Sequence, residues 1–326
     1  MPGRIWRMSD YYHFPHVQKI VLVYTTKCSF VNDAYAHESM YSPVLHYPID
    51  IIPLKVDKKN GAAYHRTYNF MTGVEYPEAE GKMTFSDEEL KRYHRQMLMD
   101  GWGEETQKKL KNSTVFVAGA GGLGSPVSIY LAVAGVGHIR ICDFDSPDWS
   151  NLNRQILHDH TRIGVNKAIS AQMTIRNLNP SIMVSAFTDR IVADNVDRLV
   201  GDADIILDCM DNFPTRYLLN DSAIRKKIPM VYGSIWGMEG RLSFILSPET
   251  PCLRCLFPEP PPSEVFPVLG TTPGVIGSLQ AMEAIKYLTG IGTPIKGKLL
   301  VWDGKKTEFR NYRAPKDPHC PSCSTL

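Results

Sequence analysis

Residues 115–126 read VFVAGAGGLGSP, a short apolar run that leads into a glycine-rich turn. A strand that delivers the chain to such a turn aims backbone N–H groups and a helix N-terminus at one point, and together these bind a phosphate group. Asp143 ends the next apolar run, where a carboxylate accepts hydrogen bonds from ribose hydroxyls. The alternative is a tight structural turn, and the motif alone does not distinguish NAD from ATP. We predict a nucleotide site whose loop residues are Gly119, Gly121, Gly122 and Gly124.

Strand and helix patterns alternate along the chain after this turn. The alternation predicts an α/β fold with a doubly wound, mostly parallel sheet of the Rossmann type, and two runs near the C-terminus predict an antiparallel portion. A capping box at residues 86–89 predicts a helix before the first strand, with Arg92 and Arg95 on its polar side. The predicted strands are 114–118, 138–143, 183–187, 204–207 and 229–232, the predicted helices are 125–134, 166–178, 193–199 and 274–288, and a hairpin is predicted at 298–302 and 307–311.

Residues 1–82 differ from the rest of the chain. They are rich in tyrosine and histidine, show strand-like runs only at 20–24 and 49–54, and show no sustained helical periodicity. We interpret them as an N-terminal extension of uncertain order, followed by a single domain at 83–326. An alternative is that residues 1–82 are an upstream reading frame and that Met83 is the start of the protein.

The composition excludes several classes of protein. The 326 residues are 43% hydrophobic and 21% charged, which is typical of a globular protein. A net charge of +2 gives no support for nucleic-acid binding. No apolar run is long enough to cross a bilayer, and residues 1–10 lack the apolar core of a signal peptide. We therefore expect a cytoplasmic protein that has neither a nucleic acid nor a membrane as its partner.

Polar residues follow the predicted strands at the edge of the sheet where the glycine turn lies. Arg154 and Lys167 have the charge to neutralise the β- and γ-phosphates of ATP, and Asp211 has a carboxylate for Mg²⁺. A dehydrogenase needs no such cations, so this set favours ATP over NAD. On charge pattern alone, a solvated surface is the commoner explanation of both cations. The nearby His158 and His160 are interpreted as solvated loop residues without a role.

Six motifs occur in order along the chain: RYHRQ (92–96), GAGGLG (119–124), DFD (143–145), SNLNRQ (150–155), DCMDN (208–212) and GSLQAME (277–283). Together they resemble the HesA/MoeB/ThiF family, which is related to ubiquitin-activating enzymes. The resemblance covers about residues 84–326. It implies ATP-dependent adenylation of the C-terminal glycine of a ubiquitin-like sulfur carrier that ends in Gly-Gly and serves molybdopterin, thiazole or tRNA thiolation.

The resemblance also implies roles for individual residues. It implies a homodimer in which Arg95 reaches across the interface into the ATP site of the other subunit. A sulfurtransferase that supplies the carrier with sulfur is a further candidate partner. The implied catalytic residues are Arg95, Arg154, Lys167 and Asp211, and the implied cofactor-binding residues beyond the glycine turn are Asp143 at the ribose, Asn151, Arg154 and Lys167 at the phosphates, and Asp211 at Mg²⁺.

Two Cys-x-x-Cys pairs lie in the C-terminal third of the chain. In a chain without a signal peptide, such pairs favour a metal over disulfide bonds. Four thiolates complete a tetrahedron around Zn²⁺ and leave no open position, which predicts a structural zinc that clamps the C-terminal part, residues 247–326. Free buried thiols or a redox pair are the alternatives. The predicted zinc ligands are Cys252, Cys255, Cys320 and Cys323.

The segment between the first cysteine pair and the predicted helix at 274–288 departs from part of the family. Some members carry a cysteine there that forms a covalent link with the carrier, whereas residues 256–276 contain none. We therefore expect adenylation without a covalent enzyme–carrier intermediate. Cys142 and Cys209 lie at apolar strand ends and are expected to be small core residues.

Two other functions are compatible with the same fold. An NAD-dependent oxidoreductase would bind NAD(H) and would not require Mg²⁺. A non-catalytic nucleotide-binding scaffold would bind ATP and never release pyrophosphate. Calorimetric titration with each nucleotide and pyrophosphate exchange distinguish these alternatives from adenylation.

Overall fold

The computed structural model describes residues 85–262 and 267–324, together with the backbone of four short strands nearer the N-terminus. The chain folds as two compact units, Met1–Lys82 and Met83–Leu326. The strand-like run at 20–24 is a strand, and most of the run at 49–54 lies outside the described residues. In the first unit β1 (Ile20–Tyr24) pairs antiparallel with β2 (Lys27–Val31), and β3 (Met40–Tyr41) pairs antiparallel with β4 (Pro48–Ile49).

One mixed sheet of eight strands forms the centre of the second unit. Its strands are β5 (Thr114–Ala118), β6 (His138–Cys142), β7 (Met183–Phe187), β8 (Ile205–Asp208), β9 (Met230–Trp236), β10 (Glu239–Ile245), β11 (Lys298–Asp303) and β12 (Glu308–Arg313). Their order across the sheet is β12-β11-β10-β9-β8-β5-β6-β7. The pairs from β9 to β7 are parallel, and the pairs from β9 to β12 are antiparallel. The predicted fold class is therefore confirmed.

The helices of the second unit are α1 (Asp87–Met97), α2 (Gly103–Lys111), α3 (Gly124–Ala134), α4 (Lys167–Leu178), α5 (Val196–Val200), α6 (Phe213–Lys226), α7 (Leu253–Leu256) and α8 (Thr271–Thr289). The predicted capping box of α1 is present, because Ser86 Oγ accepts from the Glu89 N–H at 3.2 Å and Glu89 Oε2 accepts from the Ser86 N–H at 2.9 Å. The sequence patterns had not indicated α2, α6 or the short α7.

The hydrophobic core lies on both faces of the sheet. Along β5, Val115 and Val117 belong to one buried cluster, whereas Phe116 and Ala118 belong to a second cluster on the opposite face. Alternate residues of a strand point to opposite faces, so a strand with helices on both sides must be apolar throughout. This explains why residues 115–118 of β5 are all apolar rather than alternating. Among the described residues, no helix is long and apolar enough to cross a membrane.

The strand order places a crevice at the carboxyl ends of β5 and β8. The chain leaves β5 in one direction to reach β6 and β7, and β8 and β9 lie on the other side, so the order reverses between β5 and β8. Ala118 is in register with both Cys142 and Asp208, so the three strands end at the same level. In doubly wound sheets, ligands bind at this kind of reversal point.

Candidate nucleotide-binding site and metal centre

The glycine loop turns directly after β5. Gly119 has a φ of +97°, and a Cβ atom there would lie 2.8 Å from the carbonyl oxygen of Cys209. A Cβ atom on Gly124 would lie 2.0 Å from the carbonyl oxygen of Gly119. By contrast, a Cβ atom on Gly121 would meet only the Gln155 side chain, at 3.6 Å. The chain itself therefore requires glycine at 119 and 124, whereas at 121 the small residue leaves room for a ligand to approach the backbone.

Asp143 follows β6 and lies beside this loop. Its Oδ2 atom accepts from the Ala120 N–H at 2.8 Å, and its Oδ1 atom accepts from the Asp145 N–H at 2.9 Å. Burial raises the pKa of Asp143, and the two backbone hydrogen bonds oppose that rise. The carboxylate is thus held at the edge of the crevice, where it is placed to accept hydrogen bonds from a polyol.

A cavity of about 120 Å³ opens next to Asp143. Its walls combine apolar side chains, Ile191 and Met210, with the polar groups of Asn212 and Thr215. Arg190 and Phe144 also line the cavity, and the guanidinium carbon of Arg190 lies 3.5 Å from the centre of the Phe144 ring. Apolar walls with a few polar groups suit a heteroaromatic base.

Two cations flank the glycine loop. Arg154 donates from Nη1 to the carbonyl oxygen of Ser150 at 2.9 Å, and its Cδ atom lies 3.6 Å from the position of a Cβ atom on Gly122. Lys167 is the first residue of α4 and is only 7% exposed, with its Nζ atom 3.7 Å from a carboxylate oxygen of Asp145. The structure therefore brings both predicted cations to this edge, and the solvated-surface interpretation of Lys167 is wrong.

The two remaining polar residues predicted for the crevice lie on loops that follow β6 and β8. Asn151 ends a short 3-10 turn, where its Oδ1 atom accepts from the Asp148 N–H at 3.3 Å. Asp211 is exposed, and its Oδ1 atom accepts from Asn212 Nδ2 at 3.3 Å. Asn212 in turn caps α6 by accepting from the Thr215 N–H at 3.0 Å. An exposed carboxylate at a strand end is free to take a metal ion.

Arg95 lies apart from these groups. It is exposed on α1 and has no hydrogen bond or ion pair within residues 85–262 and 267–324. Its neighbour Arg92, by contrast, donates to the carbonyl oxygen of Leu178 at 2.9 Å. Within one chain, the structure does not bring Arg95 to the glycine loop.

Sequence reasoning missed a buried ion pair beneath the crevice. Asp208 is fully buried, and its Oδ2 atom lies 3.7 Å from Nε of Arg216 on α6. Burial raises the pKa of Asp208 to about 6, and the Arg216 charge opposes the rise. Arg216 also donates to the carbonyl oxygens of Met210 and Gly233. It therefore holds the segment that carries Asp211 against the sheet.

His158 was a further error of the sequence interpretation. It is 6% exposed rather than solvated. Its Nε2 atom lies 2.8 Å from the carbonyl oxygen of Ala120, and its Nδ1 atom lies 2.9 Å from Oγ of Ser170. Burial, together with the charges of Lys167 and Arg162, lowers the pKa of His158 to about 4, although the hydrogen bond to Ala120 and the charge of Asp159 oppose this shift. The ring is therefore neutral at pH 7.

We expect this buried histidine to make the protein less stable as the pH falls from about 6.5 to about 4. The pKa in the folded state is about 4, whereas an unfolded histidine titrates near ~6.5. In this window the unfolded state binds more protons, and a full one-proton difference lowers the free energy of unfolding by about 1.4 kcal/mol per pH unit. Urea titrations at pH 7 and pH 5 measure the difference.

The comparison variant for this prediction is His158→Gln, which cannot titrate. It should lose less stability between pH 7 and pH 5 than the unmodified protein. His160→Gln is the matched control, because His160 is exposed and belongs to the same stretch; it should show the unmodified pH dependence. Equal slopes for all three proteins would contradict the assignment of a neutral buried ring.

The four cysteines of the two Cys-x-x-Cys pairs form one cluster. The Sγ–Sγ distances are 3.9 Å for Cys252 and Cys255, 3.5 Å for Cys252 and Cys320, and 3.5 Å for Cys255 and Cys323. All four sulfur atoms lie within 4.8 Å of one another. A tetrahedral site with metal–sulfur bonds of about 2.3 Å places its sulfurs about 3.8 Å apart. The cluster therefore has the geometry to hold a metal ion.

The other two described cysteines are core residues, as expected. Cys142 and Cys209 are both buried. Burial raises the pKa of Cys142 to about 12 and raises that of Cys209 well above its usual value. A thiol attacks as its thiolate, so neither side chain is a nucleophile at neutral pH.

Comparisons with known proteins agree with the fold and with the motifs. A family model described as the ThiF family matches residues 93–322. The sulfur carrier protein adenylyltransferase of Thermus thermophilus is 42% identical over 252 residues, which cover 74% of this chain and 93% of that protein. The adenylyltransferase and sulfurtransferase MOCS3 of Drosophila sechellia is 40% identical over 258 residues, which cover 77% of this chain and 57% of MOCS3. This chain thus spans little more than half the length of MOCS3.

Solved structures show the same architecture. The structure of E. coli MccB with ATP superposes with a TM-score of 0.65 at 25% identity and covers 71% of this chain and 74% of that chain. A second MccB structure, with MccA-N7isoASN, gives a TM-score of 0.67 at 23% identity and covers 72% and 74% of the two chains. The family model and the Thermus thermophilus relative confirm the resemblance indicated by the six motifs.

Proposed function

The chain belongs to the ThiF family, and from that premise we propose that it is an adenylyltransferase that activates the C-terminal glycine of a ubiquitin-like sulfur carrier. The observation that carries the proposal is the meeting of the glycine loop, Asp143 and the cations Arg154 and Lys167 at the strand-order reversal. The named activity of the Thermus thermophilus relative supports the same reaction. The two cations favour a triphosphate ligand over NAD.

The reaction follows from the charges at the crevice. A terminal α-carboxyl titrates near ~3.5, so the incoming glycine is already ionised at neutral pH and needs no general base. One of its oxygens bonds to the α-phosphorus of ATP while the bond from that phosphorus to the bridging oxygen breaks, and pyrophosphate leaves with the electron pair. The site must align these atoms and balance the charge of the leaving group.

Each polar residue has a proposed place in that reaction. The backbone N–H groups of Gly121 and Gly122 face the phosphates, and Asp143 holds the ribose. Asn151, Arg154 and Lys167 surround the β- and γ-phosphates. When Mg²⁺ is bound, it supplies further charge neutralisation, and Asp211 is the carboxylate that would hold it.

We also propose that the protein acts as a homodimer. Large apolar side chains are exposed on both sides of the segment that carries Asn151 and Arg154, with Trp149 68% and Ile156 62% exposed. A partner that covers these apolar side chains would remove them from water, which favours association. A second copy that covers these side chains would bring the partner's Arg95 to the crevice, which would give a role to an arginine that has no partner in the described part of the chain.

The remaining assignments concern the metal and the partners. We propose that the cysteine cluster binds zinc as a structural ion, because four thiolates leave no position for a substrate. With no cysteine in residues 256–276, we propose that the glycyl adenylate passes directly to a sulfurtransferase. No thioester between enzyme and carrier is then formed.

The proposed function predicts carrier-dependent exchange of radiolabelled pyrophosphate into ATP. A sulfur carrier that ends in Gly-Gly should support exchange in the presence of Mg²⁺. The same carrier without its last glycine should lower the rate by about 10²-fold or more, because a displaced carboxylate no longer meets the α-phosphorus. The matched control is a carrier with a substitution on its surface far from the C-terminus. Exchange that is independent of carrier, or absent with every Gly-Gly carrier tested, would contradict the proposal.

A further inference from the structure

Both backbone polar groups of Ala120, its N–H and its carbonyl oxygen, are engaged by side chains. Its N–H donates to Oδ2 of Asp143 at 2.8 Å, and its carbonyl oxygen lies 2.8 Å from Nε2 of His158. Ala120 lies between the glycine that turns the chain at 119 and the glycine that leaves room for a ligand at 121. The pair of side chains therefore sets the direction in which the next N–H groups of the loop point.

The hydrogen bonds also determine the tautomer of His158. A carbonyl oxygen only accepts, so Nε2 must carry the proton and donate to Ala120. The neutral ring then has an unprotonated Nδ1 atom, which accepts from the Ser170 hydroxyl at 2.9 Å. Ser170 lies three residues after Lys167 on α4, so the two side chains occupy the same face of the helix. One ring therefore connects the loop to the helix that carries the buried lysine.

Other contacts hold the backbone around His158 without duplicating this connection. Thr174 Oγ1 donates to the carbonyl oxygen of Leu157 at 2.6 Å, and Arg162 Nη1 donates to the carbonyl oxygen of Ser170 at 2.7 Å. These bonds attach residues 157–162 to α4 and do not involve the Ser170 hydroxyl. Loss of that hydroxyl would therefore release the ring while the segment stays in place.

We propose that His158 is a positioning residue that holds the glycine loop and the α4 helix in a fixed relation, so that the loop N–H groups and the Lys167 ammonium meet one triphosphate. The inference rests on the proposed function, since it concerns the same ATP site. The interaction acts through the loop and the lysine, and His158 itself does not touch the nucleotide. The contribution of His158 to binding affinity should therefore be confined to ligands that contact both the glycine loop and Lys167.

Calorimetric titration with MgATP and with AMP tests this assignment. AMP lacks the β- and γ-phosphates that we place near Lys167. In Ser170→Ala the affinity for MgATP should fall about five- to tenfold, the effect of one lost hydrogen bond, whereas the affinity for AMP should change less than about twofold. His158→Gln retains an N–H donor toward Ala120 and should bind MgATP more tightly than His158→Ala. The matched control is Ser128→Ala, which removes a buried hydroxyl that has no partner within the described residues.

Two results would overturn the inference. One is an unchanged affinity of Ser170→Ala for MgATP, and the other is an equal fold loss of the affinities for MgATP and AMP, which indicates a purely structural role. If His158→Ala does not fold, the Ser170→Ala measurement decides the question alone. Failure of the unmodified protein to bind MgATP would instead count against the proposed function, so the two failures are distinguishable.

Discussion

Replacement of Lys167 with alanine is expected to lower kcat for ATP–pyrophosphate exchange by about 10²–10³-fold, the usual cost of one preorganised charge-stabilising group. Lys167 is only 7% exposed, lies 3.7 Å from a carboxylate oxygen of Asp145, and its charge also acts on the carboxylate of Asp143 beside the glycine loop. A buried ammonium of this kind interacts strongly with the charge that develops on departing pyrophosphate. Steady-state exchange at saturating carrier, with ATP varied, separates the effects on kcat and KM.

The control for Lys167→Ala is Lys226→Ala. Lys226 is a half-buried lysine that donates to the carbonyl oxygen of Gly201 at 2.9 Å, at the opposite edge of the sheet. It should leave exchange within about twofold of the unmodified rate. If Lys167→Ala retained more than a third of the unmodified kcat, the placement of this lysine at the reacting phosphates would be wrong. Equal losses in both variants would point to a general effect of removing a lysine.

The parallel strands were predictable because the sequence signal for each strand lies entirely within the residues of that strand and the turns that bound it. β5 and β7 have the predicted bounds, and β6 and β8 differ from theirs by one residue. Strands buried on both faces are apolar throughout, and turn residues bound them, so one stretch of sequence contains the whole signal. The glycine loop was predictable for the same reason, since the chain's own sterics require two of its glycines.

The missed features depend on contacts between distant segments. His158 lies in a loop whose sequence is polar, and its burial comes from Ala120, 38 residues earlier, and Ser170, 12 residues later. Asp208 was grouped with the ligand-binding motif, although its partner Arg216 lies on the next helix. Recognition of α6 would have placed Arg216 in the first turn of a helix that follows β8, close to Asp208 at the end of that strand. The signal for α6 was Asn212 as a cap followed by a proline in the first turn.

The relation between the two sites follows from α6. The helix begins at Phe213, after its cap Asn212 beside the crevice, and about two turns later its residues contact the neighbours of the cysteine pairs. Asn220 Oδ1 accepts from the Leu253 N–H at 2.8 Å, and Asp221 Oδ1 accepts from Ser322 Oγ at 2.8 Å. The cluster therefore attaches the C-terminal tail to the middle of the helix, about two turns from the end that lies beside the crevice.

Loss of the metal is accordingly expected to release the tail and to leave the crevice formed. Metal affinity contributes directly to folding where a site exists only in the folded chain. Cys323→Ser, or treatment with a strong chelator, should lower Tm by about 5–10 °C. It should also increase tryptic cleavage after Lys316, which lies between β12 and Cys320, about tenfold or more. The affinity for MgATP should change less than about threefold, because α6 stays capped by Asn212.

Elemental analysis and timed proteolysis measure these effects, and the matched control is Cys142→Ser. Cys142 is buried outside the cluster and donates from its thiol to the carbonyl oxygen of Asp189 at 3.3 Å, a bond that serine can also make. The control should retain one zinc per chain and a protected tail. If Cys323→Ser kept a full equivalent of zinc and an unchanged cleavage rate, the tail would be held by its direct contacts with α6, and the cluster would not be the clamp.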